Sequence, residues 1–405
     1  MSLWANVVPP PGVVRVLCLS NLAKTIGNGV LLSVGVLYFI RAVQVPAGQV
    51  GVALTIGAAV GMVVGVPAGH AADLLGPRLT TVAFMVLQGL LICGYAFVTG
   101  FAGLVVAASL VLAAEAATDA ARGALIAGVV PPGERVTAWS YLRVMANIGV
   151  SLGAVAGGVA LHFDSRPVYV GLLVGAGLLL VVAGIAYLTL PHVPPAQRPE
   201  DGPRWEVLRD RPFAVVSVLN AVLVMNTGIL TVALPVWIAE RTGAPTWVYS
   251  VVLLVNTVVV VLLQVRVGRT AEDVPGGARA FRRSGLALAA CCAVFALARG
   301  GPTWVAVAVL LVGALVHVIG ELFYSAGSWS LSFGLAPRHA QGQYQGLFGM
   351  SGQLGQVVTP VVATTLVLAG GWWGWLAFGA VLAGAGLAAP GVARWAERTR
   401  RPVAA

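Results

Sequence analysis

Apolar residues run along this chain in blocks of twenty or so, separated by short polar connections. Twelve such blocks stand out: 13–40, 48–69, 79–99, 103–128, 137–161, 168–190, 213–239, 247–267, 284–299, 303–327, 343–368 and 372–395, the ninth being the shortest. An apolar stretch of about 20 residues crosses the hydrocarbon core as a helix. The alternating ten-residue pattern of a β-barrel is not found. The pattern predicts an all-α membrane protein with twelve transmembrane helices.

Residues 191–212, PHVPPAQRPEDGPRWEVLRDRP, form the longest polar stretch. They divide the chain into a six-helix bundle over 1–190, a linker over 191–212 with a short surface helix, and a second six-helix bundle over 213–405. The halves resemble each other. At a shift of 199 residues Asn21 meets Asn220, Gly29 meets Gly228, Tyr38 meets Trp237, and Val66-x-x-Gly69-x-x-x-Asp73 meets Val265-x-x-Gly268-x-x-x-Glu272. Seven further residues bring Glu115 onto Glu321, Gly128 onto Gly334, Pro131 onto Pro337 and Gly149 onto Gly355. The agreement in order predicts an internal duplication, with two pseudo-symmetric bundles as in transporters built from parallel repeats.

Composition agrees: 59% of residues are hydrophobic and 9% charged, against about 25% charged in a soluble domain. The net charge of +10 is a matter of topology, not of nucleic-acid binding. With the N-terminus placed inside, 18 arginines fall on the cytoplasmic side: Arg15, Arg78, Arg122, Arg135, Arg198, Arg204, Arg209, Arg211, Arg266, Arg269, Arg279, Arg282, Arg283, Arg338, Arg394, Arg398, Arg400 and Arg401. Arg41, Arg166, Arg241 and Arg299 fall outside. The positive-inside rule then puts both termini in the cytoplasm. No cleavable signal peptide is expected. The four cysteines, Cys18, Cys93, Cys291 and Cys292, lie in spans and read as small apolar residues.

Lys24, the sole lysine, sits inside the first span. An ammonium at that depth costs at least about 2.5–3.5 kcal/mol and is rarely found without a partner or a function. At 1.5 Å per residue it lies about 16 Å from the inner edge, and Glu115 on span four about 18 Å from the outer edge, so both are near the midplane. Glu115 and Asp119 are i,i+4 and share a helix face, as do Arg143 and Asn147 on span five and His317 and Glu321 on span ten. Buried carboxylates of this kind can load and unload a proton. Glu115 is the expected principal carrier, Asp119 the second and Glu321 the third. The other reading is a static network of Lys24, Glu115, Asp119 and Arg143 that pins the first bundle, with His317 a packing histidine. Tyr324 shares the face of Glu321. The remaining aromatics, among them Trp237, Trp247, Trp372, Trp373 and Trp375, are mostly expected at the membrane interfaces.

The loop after span two reads Gly69-His-Ala-Ala-Asp73-Leu-Leu-Gly76-Pro-Arg78. It resembles the G-x-x-x-D-R-x-G-R-R pattern of the major facilitator superfamily. Leu74 and Pro77 stand where that pattern has arginine. Span five, with Gly149, Gly153, Gly157 and Gly158, is similar to the G-x-x-x-G-P-x-x-G-G signature of bacterial drug/proton antiporters, with Ala154 in place of proline. The resemblance implies a monomeric secondary transporter of the bacterial cytoplasmic membrane. Spans one, four, seven and ten would line a central cavity, and Gly69, Asp73, Gly76 and Arg78 would form a cytoplasmic latch. The partners implied are a small-molecule substrate, protons and the bilayer. Two functions follow: proton-coupled efflux of hydrophobic or amphipathic molecules, or symport of a polar or anionic metabolite. No cofactor, metal or nucleic acid is expected. An enzyme is not expected either, since neither H-E-x-x-H nor a phosphate-binding glycine loop is found.

Overall fold

The computed structural model describes residues 8–197, 204–300 and 302–399. Arg198, Arg400 and Arg401, counted above for topology, lie outside these residues, as does the middle of the linker. The described residues contain helices and no strand. Backbone N–H and C=O groups find no partner in lipid, so each spanning segment must satisfy them internally as a helix.

The spanning helices are α1 (Val13–Gly35), α2 (Ala47–Leu75), α3 (Pro77–Phe97), α4 (Gly100–Val129), α5 (Pro132–Phe163), α6 (Arg166–Thr189), α7 (Arg211–Arg241), α8 (Val248–Gly268), α9 (Val274–Leu297) and α10 (Thr303–Gly334). The last apolar run, Arg338–Thr399, is too long for one span and is non-helical at Gly371 (φ 60°, ψ −137°). A side chain is strained at that backbone angle and glycine is not. The run therefore counts as two spans: α11 (Gln341–Val362, continued by the π turn Ala363–Leu368) and α12, the part of Ala369–Thr399 that follows Gly371. The ninth helix begins ten residues earlier than the apolar block predicts. Asp273 caps it by accepting from Gly276 N at 2.6 Å, and Pro275 suits its first turn. Its first turns are amphipathic: Phe281 is buried while Arg279, Arg282 and Arg283 point out, which hides them from a search for apolar runs.

The two halves repeat each other contact for contact. In the first, α1 packs on α5, α2 on α4 and α3 on α6; in the second, α7 packs on α11, α8 on α10 and α9 on α12. A Cβ placed on Gly149 would strike the Leu22 carbonyl, and one on Gly355 the Ala221 carbonyl, 199 residues further along. Tyr38 donates to the Tyr95 carbonyl at 3.1 Å, and Trp237 to the Phe295 carbonyl at 3.1 Å. Even the irregular turns recur: α1 passes through a π turn at Leu31–Gly35, and α7 through one at Ile229–Ala233. Pro360, which lacks an N–H, lies just before the π turn Ala363–Leu368 at the end of α11. Trp237 does not sit in an interfacial belt. It is buried against Trp375, with ring centroids 5.8 Å apart, whereas Trp247 and Trp373 are exposed as expected.

The halves meet toward one face of the membrane, the face that carries the first turn of α1 and the last of α12. There α2 and α11 touch backbone to backbone. A Cβ on Gly65 would lie 3.3 Å from the Gly346 carbonyl, and one on Gly69 would collide with that of Gly342. Across the seam α5 meets α8, where Gly268 faces Ser140. Burial follows the same gradient. On α4 the residues buried in the first half are spaced along one side, while from Ala114 to Ala127 nearly all are buried. The bundle is thus sealed at the terminal face and splayed at the opposite face. Gly69→Leu should prevent this closure. Spin labels at exposed Leu75 and Arg338, one on each half, should then show a longer distance than in the unsubstituted chain; an unchanged distance would mean the glycine contact does not set the state.

Candidate functional site

Lys24 is 4% exposed, and its ammonium lies 2.5 Å from Asp119 Oδ1 and 4.0 Å from Glu115 Oε1. Asp119 also accepts from Arg122 at 3.1 Å. Arg122 in turn donates to Asn21 Oδ1, and its guanidinium lies 5.2 Å from the centroid of the Trp139 ring. Glu115 is left with Asn28, whose Nδ2 donates at 3.4 Å. The helical repeat puts these groups together: Lys24, Asn21 and Asn28 are three to four residues apart on α1, as are Glu115, Asp119 and Arg122 on α4.

Arg143 does not belong to this network. It pairs with Glu321 across the seam, from α5 in the first half to α10 in the second. Asn256 Nδ2 on α8 donates to the other Glu321 oxygen at 2.7 Å. His317 Nδ1 stands 3.9 Å from Glu321, while its Nε2 meets the Asn226 carbonyl at 3.1 Å. The four-residue network read from the sequence is therefore two constellations, one confined to the first half and one bridging both. Asn147 joins neither; its carbonyl accepts from Ser151 within α5.

Asp119 and Arg122 line a central cavity of about 300 Å³ bounded by α2, α4, α5, α7, α10 and α11. Tyr324 is on its wall, as its register predicted, and donates to Asn220 Oδ1 at 3.1 Å. Phe323 instead lies under Arg283, 5.5 Å away. Toward the terminal face Trp139 and Trp329, one from each half, stack at 5.8 Å and 25°. Sequence reading missed several of the cavity residues: Trp139, Trp329, Gln345 and Gln356. The signal for the glutamines was the spacing of Gln345, Gly349, Gly352, Gln353 and Gln356, which form one face of α11.

At the terminal face Asp73 accepts from Gly342 N at 2.7 Å and Gln343 N at 3.1 Å, the first turn of α11. An anion at a helix N-terminus is favoured by the orphan amides and the helix dipole. Its counterpart Glu272 does the same for α5, accepting from Val136 N at 3.1 Å and from Thr137 N at 2.9 Å. Gly69 allows the close approach to Gly342; Gly76 has φ 94°, as the turn into α3 needs. Arg78 reaches the Leu190 carbonyl at 2.8 Å, at the start of the linker. Linker residues close over this region: Ala196 N donates to the Asp73 carbonyl at 2.8 Å, and Trp205 packs on His70 at 4.7 Å. Of the span-five glycines, Gly149, Gly153 and Gly157 face α1 at close range, while Gly158 has nothing near it.

Duplicated six-helix halves around a charged central cavity are the architecture of a transporter, not of an enzyme. The chain belongs to the Major Facilitator Superfamily, whose family profile matches residues 17–360. It is 29% identical over 251 residues to the multidrug resistance protein MdtH of Cronobacter sakazakii (strain ATCC BAA-894), a match covering 58% of this chain and 59% of that protein. The match thus spans less than two thirds of the relative's length. Among solved structures it is similar to a bacterial homologue of the iron transporter ferroportin in an outward-facing state (TM-score 0.72, 16% identity, 96% of this chain and 100% of that one). It is also similar to the human organic anion transporter MFSD10 (TM-score 0.69, 17% identity, 94% and 100%). A third is the E. coli fucose:proton symporter FucP (TM-score 0.67, 15% identity, 95% and 98%). At such identities the likeness is one of fold.

Two outcomes follow from the site. Lys24→Ala should destabilise detergent-purified protein by up to about 3 kcal/mol, somewhat less than a fully buried pair because Asp119 keeps Arg122. Asp119→Asn should restore more of that loss than Glu115→Gln, in line with the two distances; equal failure of both would mean Lys24 is held by something else. Glu272 lies outside the spans. Burial raises its pKa above the ordinary glutamate value, against the lowering pull of the Thr137 hydroxyl and the α5 amides. A carboxyl raised on folding weakens the fold as pH climbs through its unfolded value. Thermal unfolding at pH 7.5 should therefore show Glu272→Gln as stable as the parent or more so. Glu272→Ala, which loses the cap, should cost about 0.5–2 kcal/mol.

Proposed function

We propose that the chain is a proton-coupled exporter of amphipathic small molecules, working by alternating access between its two halves. The observation that carries this reading is the first-half constellation: two carboxylates share one lysine, and only one of them is fully matched. Asp119 is held by Lys24 at 2.5 Å and by Arg122 at 3.1 Å. Glu115 has a distant amide and a lysine at 4.0 Å. Glu115 is then the group whose charge is least compensated in the membrane and the natural proton carrier. Asp119 is the anchor of Lys24. When a proton binds Glu115, Lys24 belongs to Asp119 alone; when it leaves, the ammonium is shared.

The arginine bias supports the terminal face as cytoplasmic, in a bacterial inner membrane. In that orientation this conformation faces outward, ready to release substrate and take up a proton. Asp73 and Glu272 then act as paired latches, each carboxylate from one half holding a helix end of the other. Opening toward the cytoplasm requires both caps to release and the Arg143–Glu321 pair to part, so the two bundles rock as units. The symport reading is favoured by no particular contact here: Lys24 and Arg143, the two cations that would hold an anionic metabolite, are already matched by Asp119 and Glu321.

In proteoliposomes loaded with a pH dye, Glu115→Gln should abolish substrate-driven proton movement while the protein still inserts and folds. Asp119→Asn should lower stability as well as exchange. Full exchange by the Glu115 variant would remove it as carrier, and proton movement in the same direction as the substrate would replace export with symport.

A further inference from the structure

The cavity walls are chemically unequal. Every charge that lines the cavity, Asp119 and Arg122, comes from the first half, and these two pair with each other at 3.1 Å. The second half keeps the repeat, with Glu321 in the place of Glu115, but not the other charges. At the shifts that align the halves, Leu223 stands for Lys24, Ser325 for Asp119 and Ser328 for Arg122. The equivalent hydrogen bond survives in neutral form: Arg122 donates to Asn21, and Ser328 donates to Asn220 Oδ1 at 3.0 Å. Asn220 is completed by Tyr324 and by Ser351, which accepts from Nδ2 at 3.1 Å.

Beside this cluster α11 presents Gln345, Gln353 and Gln356 on one face, with Gly349 and Gly352 between them. Among the described residues none of these three amides hydrogen-bonds to another side chain or to the backbone, and Gln345 Nε2 is buried. Each offers donors and an acceptor to a cavity whose wall also carries apolar Met62, Val224, Phe348 and Met350. A buried donor left without a partner costs free energy that a bound hydrogen-bonding solute recovers. The aromatic lining points the same way. The Trp139 ring that would attract a cationic substrate already carries Arg122 at 5.2 Å. A permanent cation would also have to take Asp119 from Lys24 and Arg122, and an anion would have to take those cations from Asp119.

We infer that this cavity selects an uncharged, hydrogen-bonding aryl compound, with its hydroxyl or carbonyl groups met by Gln345, Gln353 and Gln356 and its flat apolar part set against the Trp329 and Phe348 side. The inference rests on the cavity being the transport site proposed above and narrows the substrate within it. At about 300 Å³ the space is at the small end of small-molecule sites.

The test is binding, without a proton gradient, to the full chain purified in detergent. The probes share an aryl group and differ in charge: phenyl β-D-glucoside and chloramphenicol as neutral, hydrogen-bonding compounds, tetraphenylphosphonium as cation and salicylate as anion. Binding is followed by isothermal calorimetry. At least one neutral probe should bind saturably, and more tightly than either ion. Gln345→Leu with Gln353→Leu should weaken it about tenfold, the loss expected for two neutral hydrogen bonds. Gln356→Leu, at an exposed position, should weaken it about threefold and guards against misfolding of the double variant. Tighter binding of tetraphenylphosphonium or salicylate, indifference to all three glutamines, or silence from both neutral probes would each overturn the inference. This binding is read without a proton gradient and so needs no proton carrier. A failure of proton coupling in proteoliposomes is therefore distinguishable from a failure of the substrate class.

Discussion

A lysine ammonium in hydrocarbon must be answered from within its own bundle, and much of the first half is arranged to do so. Lys24 on α1 takes Asp119 on α4. Asp119 has lone pairs left over, and Arg122 one turn below fills one of them. Arg122 is thereby held over Trp139, next to the Trp139–Trp329 stack that closes the cavity toward the terminal face. One charge thus fixes the register of α1 against α4, leaves Glu115 incompletely matched, and ties the midplane to the stacked rings below it. Buried charge of this kind adds little to net stability, because desolvation offsets most of the attraction. What it supplies is a defined arrangement that a single proton can alter.

The seam between halves rests on different physics. Glycines let α2 and α11 approach to backbone contact, and carboxylates at Asp73 and Glu272 cap the helix ends that this approach brings near. Dispersion and helix-end hydrogen bonds act only at short range. Such contacts are therefore lost together when the halves part, which suits a closure that must be all or none. Among the described residues the charged contact across the seam that reaches the middle of the membrane is Arg143 with Glu321.

Much of this was legible in the sequence because it is periodic or repeated. Membrane spans need only apolar length. The pairs Asn21/Asn220, Tyr38/Trp237, Asp73/Glu272 and Gly149/Gly355, picked out by alignment alone, make equivalent contacts in the two halves. Helical spacing correctly grouped Glu115 with Asp119 and His317 with Glu321. Partners that lie across the seam have no such signal. Nothing in the spacing of Arg143 points to a glutamate on another bundle, so it was placed with its nearest charges in depth. The glutamines of α11 were hidden for another reason: a polar face on a spanning helix looks like noise until the cavity it borders is known. The amphipathic start of α9 failed by the same rule, since arginines on one side dilute a one-dimensional hydropathy signal.

An internal repeat with unequal charge on its two halves has an evolutionary consequence. On the proposed reading the proton-handling residues, Lys24, Glu115 and Asp119, sit on the first half, and the glutamines that would meet substrate sit on α11 of the second. On that reading a substitution on α11 would change what fits the cavity without touching Lys24, Glu115 or Asp119, and the energy source would be inherited intact. A chain built as proposed would drift toward new cargo by single steps, each viable, because recognition and drive would be written in different side chains.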